Sequence, residues 1–297
     1  MVDVSICIVT LNTRDYLREC LHSLDEHLPQ RSYEVILVDN ASLDGTLEML
    51  HQEYPAIQVI ANQTNEGFTR PVNQAMRAAA GSFVLLLNPD TIILPGLVDR
   101  MVAFLEANPK VGICGPKVLN QDGTLQLSCR RGEPRPWAMF SYFSGLWKLF
   151  PHSKFFGGYL MNYMDENVIH EVGGVAGCCM LIRRGVIDQI GYLDERYFAY
   201  QEDADYCFQA RKAGWKINYV PDAQVIHYGG KGGSRVQPFR SIFEWHRSYY
   251  RYYRKNLASD YFFLFNYFYY LVMLAKLLLA LLANILRREK YAGPRRV

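Results

Sequence analysis

The chain has no Cys-x-x-Cys pair, and its seven cysteines, at positions 7, 20, 114, 129, 178, 179 and 207, are scattered and odd in number. That speaks against a zinc knuckle or a disulfide framework and fits reduced, buried thiols in a cytosolic domain. No strong charge imbalance exists either. The 32 Lys and Arg against 29 Asp and Glu leave a net +3, too mild for a nucleic-acid binder. No Gly-x-Gly-x-x-Gly is present, since the glycines at 173, 174 and 177 miss that spacing, which argues against a nicotinamide enzyme. Residues 229–234 (GGKGGS) lack the order of a phosphate-binding P-loop. They read as a loop closing over a phosphate, with Lys231 or Arg235 as counter-charge, or equally as a solvent loop. The N-terminus runs straight into a strand-like stretch, so no secretory leader is expected and the Asn-x-Ser/Thr matches at Asn40 and Asn62 are read as chance.

What the chain does have is apolar material. Half of its residues are apolar and 14% are aromatic, enough for a large core and far from a disordered composition. Over the first 110 residues, short β-branched runs alternate with helical periodicity. Residues 4–11 (VSICIVTL), 33–39 (YEVILVD), 57–61 and 83–87 (FVLLL) read as strands. Residues 16–27, with Leu17, Cys20, Leu21 and Leu24 at helical spacing, 46–54 and 71–80 read as helices. The alternation predicts a doubly wound α/β fold with a mostly parallel sheet. A helix over 95–108 and a strand over 111–119 continue it. Residues 121–167 then lose periodicity; they are rich in aromatics, Gly and Pro, and basic at Arg130, Arg131 and Arg135. So long a stretch inside a compact domain is expected to be functional or mobile. A strand over 172–183, a short helix over 184–190, a helix opened by residues 200–205 and running to Ala213, and two short strands at 215–220 and 223–227 follow.

The stretch 81–94 (GSFVLLLNPDTIIL) organises the rest. Its unbroken apolar run suits a strand covered on both faces, and it ends in Asn88-Pro89-Asp90. Open α/β sheets bind ligands at the C-terminal strand tips. Asp90 is therefore expected at the mouth of a crevice, facing a hard divalent cation that takes oxygen ligands. Three further loops would converge there: Thr10 to Asn12 with Arg14, Asp39 to Gly45 including Ser42, and Asn65 to Asn73 including Arg70. Each alone could be ordinary turn capping. Four on successive βα units point instead to a site for a base, a ribose and phosphates. Downstream, Glu202 and Asp203 open a helix, and His227 precedes the glycine loop. The acids could simply complement the helix dipole; together with the histidine they look like a base beside a metal site.

From Pro238 the character changes, and the chain divides at 237 into a catalytic domain and a C-terminal extension of 238–297. Residues 239–256 form a helix pattern crowded with Tyr, Trp and Arg. Residues 261–286 carry one charge, Lys276, and are long enough to cross a bilayer, for which about 20 residues suffice. A buried core helix is the bland alternative. A spanning helix would leave Arg287, Arg288, Lys290, Arg295 and Arg296 on the far side from a cytosolic domain, against the positive-inside tendency. It would also place Lys276 near mid-bilayer, at roughly 2.5–3.5 kcal/mol. A helix lying in the interface keeps both basic clusters against anionic lipid. Asn266, Lys276, Asn284 and Arg287 share one broad sector of the helix, together with Met273, Leu277 and Ala280. Peripheral and single-pass attachment both remain open.

Several blocks in this order resemble one family: SICIVTLN, VILVDNASLDGT, NEGFTRPVNQAM, FVLLLNPDT, the 173–183 run, and YFAYQEDADYCFQARKAGW followed by His227. Over residues 3–256 the chain is similar to the inverting family 2 glycosyltransferases of GT-A fold, and within them to the bacterial rhamnosyltransferase-like branch. The resemblance implies that Asp39 hydrogen-bonds a uracil or thymine edge, with Thr10, Asn12, Ser42, Asn65 and Asn73 around the donor. It makes Asp90 the last acid of an Asp-x-Asp that binds Mn²⁺ or Mg²⁺, His227 a further metal ligand and Asp203 the catalytic base. The first acid of that motif is Asn88 here; it can bond a sugar hydroxyl or a water but brings no charge, a variant typical of this branch.

The implied enzyme moves a sugar, rhamnose favoured, from a dTDP- or UDP-sugar to a lipid-linked or polysaccharide acceptor in cell-surface glycan synthesis. It would act at the cytoplasmic face of the membrane, with no nucleic-acid partner. A nucleotidyltransferase of related sheet architecture and a non-catalytic nucleotide-sugar-binding protein are the alternatives.

Overall fold

A computed structural model describes residues 2–230 and 238–286. Lys231, Arg235 and the basic residues from Arg287 to Arg296 lie outside the described residues. The first half follows the periodicity: β1 (Val4–Thr10), α1 (Arg14–Glu26), β2 (Tyr33–Asp39), α2 (Thr46–Glu53), β3 (Gln58–Ala61), α3 (Thr69–Ala78) and β4 (Phe83–Leu87). These four strands pair in parallel in the order β3-β2-β1-β4. β1 and β4 are buried along their whole length, which is why neither alternates apolar with polar. Thr10 at the end of β1 lies opposite Asp39 at the end of β2, and Asp39 opposite Ala61 of β3, so the three loops leave the sheet side by side.

Beyond β4 come β5 (Thr91–Ile93), α4 (Leu97–Ala107), β6 (Val111–Leu119), β7 (Arg130–Arg131), α5 (Pro136–Ser144) and α6 (Leu146–Leu149). They are followed by β8 (His170–Glu171), β9 (Gly174–Val175), β10 (Cys179–Arg183), α7 (Arg184–Ile190), α8 (Glu202–Lys212), β11 (Lys216–His227), α9 (Pro238–Asn256) and α10 (Phe263–Ile285). The main sheet continues β4-β10-β6-β11-β5, with β8 added on β11. β10 runs against β4 and β6, and β5 and β8 run against β11; the other strands share one direction. The sheet is thus mixed but mostly parallel. β7 and β9 form a separate small ribbon.

Two expected short strands, 215–220 and 223–227, prove to be one. β11 stays paired to β6 across a jump in register between Val220 and Gln224. Pro221 sits in that jump, where its missing N–H removes no ladder bond. Conversely, the single strand expected over 172–183 is split into β9 and β10, because the Gly177 amide between them is turned toward Asp203. The aperiodic stretch 121–167 is ordered by aromatic packing. Trp137 lies 4.8 Å from Phe155, and Phe150 stacks on Phe156 at 4.6 Å. Met139, Trp147, Tyr159 and Leu160 form a second core with Tyr249 of α9. α5 and α6 are too short and too apolar all round to show a helical stripe.

α9 is docked on this body: Tyr249, Tyr252 and Tyr253 are buried, and Ser248 donates to the Ala199 carbonyl at 2.8 Å. Asp205 of α8 receives Lys255 Nζ and Asn256 Nδ2, each at 2.7 Å. α10 runs back along α9. Asn266 bonds the Tyr253 hydroxyl, Tyr249 and Tyr269 share a 2.7 Å bond, and Lys276 Nζ lies 2.9 Å from His246 Nε2. All seven cysteines are buried and unpaired.

Candidate active site

The strand tips converge as the topology requires. Asp39 is fully buried at the end of β2; its Oδ2 accepts the Ser42 amide at 3.0 Å, and its Oδ1 has no protein partner. A buried carboxylate oxygen without a donor is costly, and a ligand N–H is the group that would satisfy it. Asn12 and Ser42 latch the first two loops: Ser42 Oγ accepts the Asn12 amide at 2.9 Å, and Asn12 Oδ1 accepts the Leu43 amide at 2.7 Å. Thr10 Oγ1 is 2.8 Å from Thr13 Oγ1. Asn65 Oδ1 accepts from the Gly67 amide and from Asn40 Nδ2, shaping the third loop. Gly67 has a φ of +89°, and a Cβ there would meet the Phe198 carbonyl at 2.4 Å, so the loop closes on the segment leading to α8 only because this residue is glycine.

Asn73 does different work. It is buried, and its amide bonds the Leu193 backbone in both directions and Glu195 Oε1 at 3.0 Å, tying α3 to the 193–195 turn. Arg70 is paired with Glu66 at 3.1 Å and Glu195 at 3.7 Å. A cavity of about 580 Å³ opens beside Asn65 and is lined also by Arg70, Phe198, Arg247 and Arg251; Asp90, Asp203 and His227 are not among its walls.

Asp90 and His227 meet across the sheet. β5 pairs antiparallel with the end of β11, so His227 stands opposite Thr91, one residue after Asp90. His227 Nε2 lies 3.2 Å from Asp90 Oδ1 and 3.4 Å from Asn88 Nδ2. The Asn88-Pro89-Asp90 turn is closed by Thr91 Oγ1, which donates to the Asn88 carbonyl at 2.7 Å. Gln126 grips His227 twice: its Nε2 donates to the His227 carbonyl at 2.6 Å, and its Oε1 is 3.0 Å from Nδ1. An Nδ1–H held in this way aims Nε2 at Asp90 and Asn88. Burial pulls the His227 pKa down, but neighbouring Cys178 and Asp90 outweigh it and hold the imidazole well above its usual range.

A divalent cation fits here. Asp90 offers a carboxylate and His227 an imidazole, and Asn88 Oδ1 is a buried oxygen with no partner. Among the described residues no three His, Cys, Asp or Glu side chains are placed to hold a metal ion by themselves, so the protein offers an open half-shell that substrate oxygens would complete.

Asp203, in the first turn of α8, is anchored by three donors. Its Oδ2 accepts the Gly177 amide at 3.0 Å and the Arg131 guanidinium, and its Oδ1 accepts its neighbour's amide, Ala204 N, at 2.7 Å. Arg131 and Asp203 are both largely buried, and Arg131 also donates to the Val175 carbonyl at 3.1 Å. Next along the chain, the Cys178 carbonyl accepts the Asn88 amide at 2.9 Å. Residues 177–178 thus join the two halves of the site. Glu202 is buried, and burial first, then the Asp203 charge, pushes its carboxyl up to about 8.

Two members were not foreseen. Gln126 sits in the aperiodic stretch and carries no sequence signal. Arg131 was noted only as one of a basic cluster with Arg130 and Arg135. That cluster is spent internally: Arg130 is buried on the Met164 and Asp165 carbonyls, and Arg135 pairs with Glu133 and Asp260.

The profile of Glycosyl transferase family 2 matches residues 5–191. An N-acetylglucosaminyl-diphospho-decaprenol L-rhamnosyltransferase of Mycobacterium tuberculosis is 31% identical over 84% of this chain and 84% of its own length. The rhamnosyltransferase WbbL of Escherichia coli is 26% identical over 86% of this chain and 95% of its own. Among solved structures, S. aureus TarS 1–349 overlays with a TM-score of 0.56 at 19% identity, covering 84% of this chain and 64% of that one. The mannosyltransferase PcManGT of Pyrobaculum calidifontis, in complex with GDP-Man and Mn²⁺, gives 0.57 at 18%, covering 85% and 63%. This chain therefore spans just under two-thirds of those solved chains, and the likeness to them is one of fold. With the family profile covering most of its length and this shared GT-A architecture, the chain belongs to glycosyl transferase family 2.

Proposed function

We propose that the chain transfers a sugar, rhamnose favoured, from a dTDP- or UDP-sugar to a hydroxyl of a lipid-linked or growing glycan acceptor, with inversion at the anomeric carbon. Asp39 would read the base, with Thr10, Asn12, Ser42 and Asn65 shaping the nucleotide loops. Asn88, Asp90 and His227 would hold Mn²⁺ or Mg²⁺; the ion would supply charge neutralisation to the departing diphosphate. Asp203 takes the proton from the acceptor hydroxyl as its oxygen attacks. The bond to the nucleoside diphosphate breaks on the opposite face. Arg131 and the Gly177 amide fix the carboxylate against rotation, and the 177–178 link keeps base and cation site in one frame.

The observation that carries this reading is the meeting of Asp90 with His227 and the anchoring of Asp203 on Gly177, next to Cys178, whose carbonyl holds Asn88. Two relatives bear rhamnosyltransferase names, one of them for a diphospho-decaprenol-linked substrate, which supports the sugar and the lipid-linked acceptor. The apolar α10 supports work at a membrane; the proposed use of a nucleotide-sugar donor supports its cytoplasmic face. The test is incubation with dTDP-rhamnose, UDP-galactose or UDP-glucose and Mn²⁺. Release of nucleoside diphosphate, abolished by chelator, supports the reading. Pyrophosphate exchange would point to a nucleotidyltransferase, and neither reaction to a binding protein.

A further inference from the structure

α10 is amphipathic in the inverted sense. Its polar residues face the protein: Asn266 bonds Tyr253, Lys276 meets His246, and Asn284 is buried. Its outward face is apolar and bare, with Phe263, Leu264, Phe268, Leu271, Leu278 and Leu282 all exposed.

The bonds to α9 also fix where the helix can go. Tyr253, Tyr249 and His246 engage Asn266, Tyr269 and Lys276 in turn, so α9 and α10 run antiparallel, side by side. α9 is itself docked on the catalytic body and carries Arg247, Arg251 and Arg254. Only Leu277–Ile285 remains beyond the Lys276 contact, roughly 14 Å at 1.5 Å per residue. A hydrocarbon core is about 30 Å thick. α10 cannot cross it while the body it is bonded to stays in water.

A second apolar surface abuts the first. On α5, Trp137, Phe140 and Phe143 are exposed at helical spacing, and Leu149, Phe150 and Phe155 are exposed just after it. Phe143 joins the two: Lys276 Nζ sits 4.0 Å from its ring centre, and Trp245 packs on its edge at 5.7 Å. Charge along these two stretches of the sequence is one-sided. Residues 134–164 and 261–288 contain no Asp or Glu, yet they hold Arg135, Lys148, Lys154, Lys276, Arg287 and Arg288. On this face Lys148 and Lys154 are exposed, while Arg135 is taken up by Glu133 and Asp260; an apolar area flanked by these lysines complements an anionic lipid leaflet.

We propose that α10, α5 and the 149–155 segment together form a single platform seated in one leaflet of an anionic membrane, with α10 parallel to the surface and both its ends on the side of the catalytic domain. This rests on the reading of a membrane-associated enzyme and fixes how it is attached. The platform places residues 121–167 and Arg131, whose partner is Asp203, beside the lipid surface.

Sealed inside-out membrane vesicles from cells producing the full chain provide the test, because every native cysteine is buried. Leu28→Cys, on the exposed surface of the catalytic domain, and Val297→Cys should both react with an impermeant maleimide from the same side. If Cys-substituted 297 is protected until detergent is added while the substituted position 28 is not, α10 spans and the proposal falls. If the chain is absent from membranes altogether, the underlying membrane reading fails as well. Separately, Trp137 fluorescence should be quenched by brominated lipid in phosphatidylglycerol vesicles. Phe140→Glu should weaken binding to those vesicles roughly tenfold or more. Retained stabilisation of that variant by nucleotide shows that it folds; unchanged vesicle affinity in the folded variant removes α5 from the platform.

Discussion

The two halves of the molecule build function by different means. Up to β4, the site is made of backbone-bonded carboxylates and amides at the tips of parallel strands: Asp39 on the Ser42 amide, Asn12 on the Leu43 amide, Asn65 on the Gly67 amide. Beyond β6, it is made of side chains holding side chains across long sequence distances: Gln126 on His227 and Arg131 on Asp203. Loops on a sheet edge are pre-shaped by the topology of the sheet. The second kind depends on packing by aromatic segments with no regular pattern of their own. The side proposed to hold the nucleotide should therefore be locally robust, and the side proposed for catalysis and the acceptor globally fragile.

The sharpest challenge to this contrast is Asp203→Asn. Turnover should fall by about 10²–10⁴, with nucleotide affinity nearly unchanged, as read by steady-state kinetics and calorimetry. Near wild-type turnover would move the base elsewhere.

Next comes Arg131→Met, which leaves the largely buried Asp203 without its cation. Breaking a buried pair in this way costs about 3–5 kcal/mol, so denaturant unfolding should show a large loss. Ser42→Ala, which keeps the backbone amide that Asp39 uses, should cost under about 1.5 kcal/mol. Equal losses in the two variants would erase the distinction between the halves.

Gln126→Ala should lower Mn²⁺ affinity by about 10–100-fold without touching a proposed ligand, measured by metal-dependent thermal shift. An unchanged affinity would mean that His227 needs no clamp or holds no metal.

The smallest effect concerns Glu202. Its folded pKa, about 8, is raised above the ordinary value of roughly 4.3. Stability linked to the protonated form is complete below that ordinary value and is lost as pH rises through the folded value. Melting temperature should fall between about pH 5 and 8 in the wild type and fall less in Glu202→Gln; parallel curves would exclude Glu202 as the source.

The same contrast explains what could be read in advance. The strands and helices of the first 110 residues were visible because buried parallel strands and amphipathic helices imprint their periods directly. Asp39, Asp90, Asp203 and His227 stood out because each ends or opens a regular element. Asn73, inside α3, was grouped with the loop that precedes the helix, yet its amide is consumed by the Leu193 backbone, a partner that no local pattern announces. Arg131 and Gln126 were illegible because their roles are set by residues about a hundred or fewer positions away, through a segment folded by ring contacts. The polar sector of α10 was seen but its direction was not: amphipathicity gives an axis, and only tertiary packing says which end of that axis is water, protein or lipid.

The jump in register within β11 carries a last consequence. From Val220 to Gln224 the strand advances four positions while β6 advances one, from Pro116 to Lys117, leaving three additional residues in β11. An odd surplus inverts the in-and-out phase of everything downstream. The phase of His227 is therefore written six and five positions upstream of it, at Pro221 and Asp222, in a stretch with no chemistry of its own. Single-residue deletions or insertions there should act like frameshifts in three dimensions, turning the imidazole away from Asp90 while every ligand in the sequence is still present.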